Sequence, residues 1–412
     1  MAPLTIQLPI QSSDAAVFGQ KRCLTIACAA LVGAFGLAGC GGNITANEDK
    51  LRGLLIEKWD SKYAGMPGGL TLAIITPGGE YIASTVAGVH SDAHFRGAST
   101  TKSFTAASIM LLDQRGMLNI DDPLTANIPG MTMPYVPAAP GYAIPFKSQI
   151  TIRQLLEHRA GVFDVGNTNV PLSANVSYAG QRYVDWVTEN QGEKHTFTLD
   201  EMVGVVARNQ LSHSPPGSSF HYSNTGYSLA AKVVEQVSGK SFAQFVRDEF
   251  IVPLGLSETT FPDNGNLQSL PAPFVEGSTK FEGKYYSTTN RNVSWGVGEG
   301  NVVTTPLNLA RWIRRLVNGE TNLNAGQVKR MRACSQTFEV HVLYGIGIEC
   351  YPTDLGDGHN GAITGYLTLA RHESKANVTV VAFVSLLDAD DLAGQSELLI
   401  ETARAARALF GY

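Results

Sequence analysis

Apolar positions along the chain follow two alternating periods, and their order predicts the architecture. Asn47 to Tyr63 carries Leu51, Leu54, Leu55 and Trp59 at three- and four-residue spacing, which predicts a helix with one buried side. Thr71–Thr76 and Tyr81–Val86 are short runs rich in apolar and β-branched residues, joined at Pro77-Gly78-Gly79. They predict two strands and a turn. The helical period then returns from Ser99 to Arg115, with Phe104, Ala107 and Leu111 as a buried stripe and Gly116 as the terminator.

From about Asp122 to Arg291, helical patterns alternate with long loops. Pro134, Pro137, Pro140 and Pro145 exclude a helix there and place that stretch at the surface. Asn167 to Lys194 is polar and reads as a loop long enough to form a lid or a cleft wall. Strand patterns return in Tyr366–Arg371 and Val378–Leu386 across a polar turn at Glu373–Asn377, and a helix from Ser396 to Leu409 follows. Strands at both ends with helices between them predict an α+β fold. Both chain ends would form an antiparallel sheet with flanking helices, and a mostly helical domain would be inserted between them. The expected division is 1–40 leader, 41–46 linker, 47–121 and 292–412 as the α/β lobe, and 122–291 as the helical lobe. A cleft between the lobes is the expected place for a site.

With 412 residues, 44% of them hydrophobic, the chain has ample material for a buried core. Its formal charge of −5 and the lack of a basic run argue against nucleic acid or an acidic lipid surface as partners. Lys21 and Arg22 precede an apolar stretch, Cys23 to Ala38, too short to span a bilayer and ending in Leu37-Ala38-Gly39-Cys40. That is the plan of a secretory signal. The string resembles a bacterial lipobox, so Cys40 is expected to become the lipidated first residue of a protein anchored at the cell envelope; an ordinary signal cut nearby or a short membrane anchor is the alternative. Cys334 and Cys350 then remain in an oxidising compartment, as a disulfide or as two buried thiols.

Ser99-Thr100-Thr101-Lys102 places a hydroxyl and an ammonium on one helical face, near a helix start whose dipole favours developing negative charge. A nearby amine of lowered pKa activates such a hydroxyl. Alone this spacing is a weak signal, because chance supplies about one in a chain this long. Two further strings stand beside it: Tyr222-Ser223-Asn224 after Pro216-Gly217, and His359-Asn360-Gly361 at the opening of the C-terminal hairpin. Each has a plain structural reading, as core aromatic, helix cap or turn residue.

In this order and spacing the three strings resemble the S-x-x-K, Y-x-N and H-x-G motifs of the serine β-lactamase and D-alanyl-D-alanine peptidase superfamily, in its class C-like branch. Ile150 to His158, Pro216 to Tyr227, Val252 to Leu256 and Gly298 to Arg311 match further segments of that family, so the resemblance covers roughly residues 50–410. It implies that Ser99 attacks a carbonyl to form an acyl-enzyme, while Lys102 and Tyr222 share proton transfer. Tyr222 would be the immediate base or acid where Lys102 keeps its charge. Asn224 would orient the substrate amide and support Lys102. His359 would stand for the usual lysine of the third motif, Gly361 would let substrate lie against the strand, and the N–H groups of Ser99 and Ala362 would form the oxyanion hole. No metal or organic cofactor is implied.

Arg159 and Ala160 stand where the family has Thr and Ser, with little consequence expected. Asn360 and Ala362 replace the hydroxyl pair that carboxypeptidases of this type use for a terminal carboxylate, so the substrate class is left open. The leading expectation is a D-alanyl-D-alanine carboxypeptidase-like or β-lactamase-like hydrolase acting on a small peptide or β-lactam. An esterase or D-aminopeptidase on the same fold is the alternative, and a non-catalytic β-lactam sensor is the third reading.

Overall fold

A computed structural model describes residues 45–263, 269–339, 342–351 and 354–412; the leader, Cys40 included, lies outside the described residues. Helix α1 (Ala46–Tyr63) starts at Thr45, whose hydroxyl accepts from the Glu48 N–H while the Glu48 carboxylate accepts from the Thr45 N–H. Strands β1 (Leu70–Thr76) and β2 (Gly79–Ser84) form the expected hairpin, with Thr76 opposite Gly79. The next partner of β1 is β12 (Val378–Val384), with Leu70 opposite Val384, which joins the two ends of the chain in one sheet.

That sheet is antiparallel and eight-stranded. Its order is β2, β1, β12, β11 (Tyr366–Glu373), β10 (Gly356–Ile363), β9 (Glu349–Tyr351), β8 (Val342–Tyr344) and β7 (Gln336–Glu339). Helices α1 and α10 (Leu392–Leu409) cover one face, packing Leu51, Leu55, Leu398 and Ala403 against Leu72, Leu369 and Val380. Helix α8 (Pro306–Asn318) covers β1, β11 and β12 from the other side. Because both faces are covered, β1 and β12 are buried along their whole length. This is the expected α+β plan.

Helix α2 (Thr101–Gln114) differs from its expected single stripe. Every residue from Thr101 to Leu112 is buried, because the helix runs through the interior against α6 (Asn224–Ser238), α7 (Phe242–Val246) and α9 (Ala325–Met331). Its small residues and hydroxyls conceal this in the sequence: Thr105 and Ser108 donate to the carbonyls of Gly298 and Phe104 and so satisfy themselves indoors. The inserted segment supplies α3 (Ile152–Leu156), α4 (Tyr183–Gln191) and α5 (Leu199–Asn209). Helix α4 corrects the reading of Asn167–Lys194 as loop. It is a short helix that buries only Tyr183 and Val187 and is stapled at its start by an Arg182–Asp185 ion pair. Too few apolar positions recur there for the period to be read.

Two small sheets accompany the eight-stranded one among the described residues. Strand β3 (Phe95–Ala98) pairs with β6 (Val302–Thr304), and β4 (Ser278–Phe281) lies between β5 (Lys284–Ser287) and β13 (Leu386–Asp388). Cys334 and Cys350, 16 residues apart, form a disulfide that fastens β9 to the chain after α9. A closed loop of this length is worth about 3 kcal/mol. Replacing both cysteines by alanine is therefore expected to lower the unfolding free energy by about that amount in a denaturant titration. An unchanged midpoint would show that the bridge constrains nothing.

Candidate active site

Ser99 lies in the turn from β3 into α2. Ala98, directly before it, has φ 52°, in the left-handed region that residues with a Cβ rarely occupy. The pairing of β3 with β6 slips between Arg96 and Ala98 at the same point. This local strain turns the chain so that Ser99 is half-buried between the fully buried Ala98 and Thr100. Ser99 is not the cap of this helix: Thr100 occupies the cap position and makes no side-chain capping bond.

Lys102, fully buried, sits one turn on. Its Nζ donates to Ser99 Oγ at 3.1 Å, to Asn224 Oδ1 at 2.6 Å and to the Glu299 carbonyl at 2.8 Å. Three acceptors match the three protons of an ammonium. Burial nevertheless pulls the Lys102 pKa down to about 8, against the pull of Glu299, Asp164 and Glu349. The neutral amine is thus accessible near neutrality, and over the same 3.1 Å contact it can accept the Ser99 proton.

Asn224 is free for this contact because the capping role on α6 falls to Ser223, whose hydroxyl accepts from the Gly226 N–H at 3.1 Å. The Asn224 N–H donates to Asp164 Oδ2 at 3.1 Å, an acidic group at the positive end of the helix. Tyr222 lies just before this cap. Its hydroxyl hydrogen-bonds the Ser99 side chain, and Lys102 Nζ stands 4.8 Å from its ring centre. Burial drives the Tyr222 pKa well above its ordinary value, so the phenol keeps its proton. His158 braces this segment: its Nδ1 accepts from the Ser223 N–H at 3.0 Å and its ring lies 4.1 Å from that of Tyr222.

The third string is in β10, and it differs from expectation in detail. It does not open a strand; β10 begins at Gly356 and pairs first with β9, whose three residues are too few to show a pattern. His359 is 1% exposed and does not offer its ring to an open cleft. Its Nε2 meets the Tyr344 hydroxyl at 2.9 Å, and its Nδ1 meets the Asn360 carbonyl at 2.6 Å and Glu349 Oε1 at 3.2 Å. Burial lowers the His359 pKa to about 4 although Glu349 opposes the shift, so the ring is neutral. Its ring is thus held by Tyr344, the Asn360 carbonyl and Glu349.

A Cβ on Gly361 would stand 2.4 Å from the Gly97 carbonyl and 3.2 Å from the Ser99 N–H nitrogen. The glycine is thus required by the close approach of β10 to the turn that carries Ser99, before any substrate is considered. Ala362 packs its methyl toward the layer of α1 and α10, so only its backbone can serve the cleft. Asn360, two residues earlier on the same face, has a buried Oδ1 without a hydrogen-bond partner among the described residues. The site thus draws together Ser99, Lys102, Tyr222 and Asn224, with the backbone of Gly361 close by.

Sequence reasoning missed the groups behind them. Glu299, Asp164 and Glu349 are buried carboxyls facing Lys102, and Glu349 is paired with Arg371 at 2.5 Å. None lies in a recognisable spacing with Ser99; only a buried lysine in need of counter-charge could have prompted a search for them.

The fold is shared with known proteins. A D-stereospecific amidohydrolase from Streptomyces sp. superposes with a TM-score of 0.69 at 24% identity, over 85% of this chain and 97% of that one. A D-amino acid amidase from Ochrobactrum anthropi SV3 does so at 0.69 and 21%, over 88% and 100%. These likenesses show the β-lactamase/transpeptidase-like fold. A penicillin-binding protein of Bacillus subtilis (strain 168) is 30% identical over 167 residues, 40% of this chain but only 30% of that protein's length. The Beta-lactamase family model matches residues 57–404, and the chain belongs to that family.

Proposed function

We propose that the protein is a serine hydrolase that forms an acyl-enzyme at Ser99 and acts on small amides or peptides of D-configured residues, with β-lactams as acylating analogues. The observation that carries this reading is the Lys102 amino group, held between Ser99 Oγ and Asn224 Oδ1 in a buried site that lowers its pKa to about 8. Neutral Lys102 takes the Ser99 proton as Oγ attacks the substrate carbonyl. The N–H groups of Ser99 and Ala362 receive the oxyanion. Tyr222 keeps its proton at neutral pH and so acts as donor toward the leaving nitrogen, with Lys102 replenishing it. Water then repeats the sequence in reverse to release the acyl group. On this reading Lys102 is the immediate base and Tyr222 the acid.

Within this class a D-amino acid amidase reading is favoured over a strict carboxypeptidase, since Asn360 and Ala362 supply no hydroxyl pair for a terminal carboxylate. The disulfide also fits an oxidising compartment, and we retain export through residues 1–40 with lipidation at Cys40 as part of the proposal. Parallel assays on D-phenylalanine amide, a D-Ala-D-Ala peptide, a short p-nitrophenyl ester and a penicillin test the substrate class. Amide turnover with D over L preference is expected; turnover of the ester alone would move the assignment to an esterase. A permanent penicillin adduct with no turnover of any substrate would indicate a sensor.

A further inference from the structure

Glu299 contributes to the site twice, and the two contributions are separable. Its carbonyl accepts from Lys102, which any residue could provide. Its carboxyl is also buried, and Glu299 Oε2 stands 4.0 Å from Lys102 Nζ, the charge partner found for it among the described residues. No side chain or backbone group among the described residues donates a hydrogen bond to that carboxyl.

The other charges facing Lys102 are differently placed. Asp164 accepts from the N–H groups of Gly166, Asn167 and Asn224 and from the Asn167 amide. Glu349 is satisfied by Arg371 and by the Asn360 N–H. His158 and His359 also face Lys102, and burial holds both below their ordinary pKa. Tyr222 and Tyr227 present ring faces and keep their protons. Burial still raises the Asp164 pKa against these donors, whereas the groups around Glu349 hold its carboxyl in the charged form. The charged form of Glu299 is opposed by burial and by Asp164 and favoured by Lys102, 4.0 Å away.

Building on the acyl-transfer reading, we infer that Glu299 is a positioning residue that sets the protonation of Lys102, and with it the pH at which Ser99 becomes a nucleophile. As an anion it holds the ammonium form; as a neutral acid it releases Lys102 to act as amine. Burial, opposed by Lys102, pushes the Glu299 pKa up to about 8, so the change of state falls in the range where the enzyme works.

The sign of the effect follows. The competent form carries neutral Lys102, so acylation rises with pH through the Lys102 pKa. Removing an anion beside an ammonium lowers that pKa, to the extent that Glu299 is ionised in the wild type. Glu299→Gln keeps the backbone acceptor and the side-chain volume. Its acid limb for Ser99 labelling by a fluorophosphonate probe is expected to lie below that of the wild type. A merely structural role would change the amplitude or the melting temperature and leave the midpoint in place.

A second measurement needs no variant. In wild-type protein labelled with ¹³C at the glutamate carboxyls, one glutamate is expected to titrate above pH 7 and to shift when Ser99 is labelled. An unmoved midpoint in folded Glu299→Gln overturns the inference, as does a wild-type spectrum in which every glutamate titrates in the ordinary acidic range. If Ser99 takes no label at any pH, the acyl-transfer reading itself fails, and the two failures are thus distinct.

Discussion

Lys102→Met is expected to slow acylation of Ser99 by about a thousandfold, the middle of the range for removal of a general base. Methionine fills nearly the same volume and takes away the amino group that touches Ser99 Oγ, Asn224 Oδ1 and the Glu299 carbonyl. Folding is expected to survive, because burial already pushes the Glu299 carboxyl toward its neutral form. Asn224 is still held through its backbone by Asp164. Stopped-flow acylation with an activated ester, beside a thermal melt, measures both. A rate within about tenfold of wild type would remove Lys102 from the proton path.

The second large effect is on stability. Glu349→Ala is expected to cost about 3–5 kcal/mol, as removal of one partner from a buried ion pair does. Glu349 is 2% exposed and joins Arg371 Nη2 at 2.5 Å, His359 Nδ1 at 3.2 Å and the Asn360 N–H at 3.3 Å. Burial alone would raise its pKa, but the His359 ring, the Arg371 guanidinium and the Asn360 N–H together outweigh burial and hold the carboxyl below its ordinary range. Without it the Arg371 guanidinium keeps its place in the sheet with no anion to answer it. Denaturant unfolding gives the loss directly; a change under about 1 kcal/mol would mean that the cluster is replaceable. The double variant Glu349→Leu with Arg371→Met is expected to recover part of the loss, since no charge is then left buried alone.

The fold was legible where one period persists. The α1 helix, the β1–β2 hairpin and the pairing of strands from the two chain ends follow from apolar spacing and turn residues. Helix α2 was found but its surroundings were not, because a helix buried all round by Thr, Ser and Ala has no polar face to betray its orientation. Strands β7, β8 and β9 are three or four residues long and carry no readable alternation; tertiary pairing makes them. Ser99, Lys102, Tyr222 and Asn224 were legible as motifs, and their contacts agree with one shared site. The carboxyls that set its charge were not. Glu299, Asp164 and Glu349 reach Lys102 from three separate segments, and no local spacing encodes a charge met only after folding.

The central claim is a covalent intermediate on Ser99. Intact-mass spectrometry of the protein mixed with a penicillin or an activated D-alanyl ester, quenched over time and followed by peptide mapping, tests it most directly. The account predicts one acyl adduct per chain, on the peptide containing Ser99 and absent from Ser99→Ala. Turnover by Ser99→Ala at the wild-type rate, or an adduct on any other residue, would contradict it.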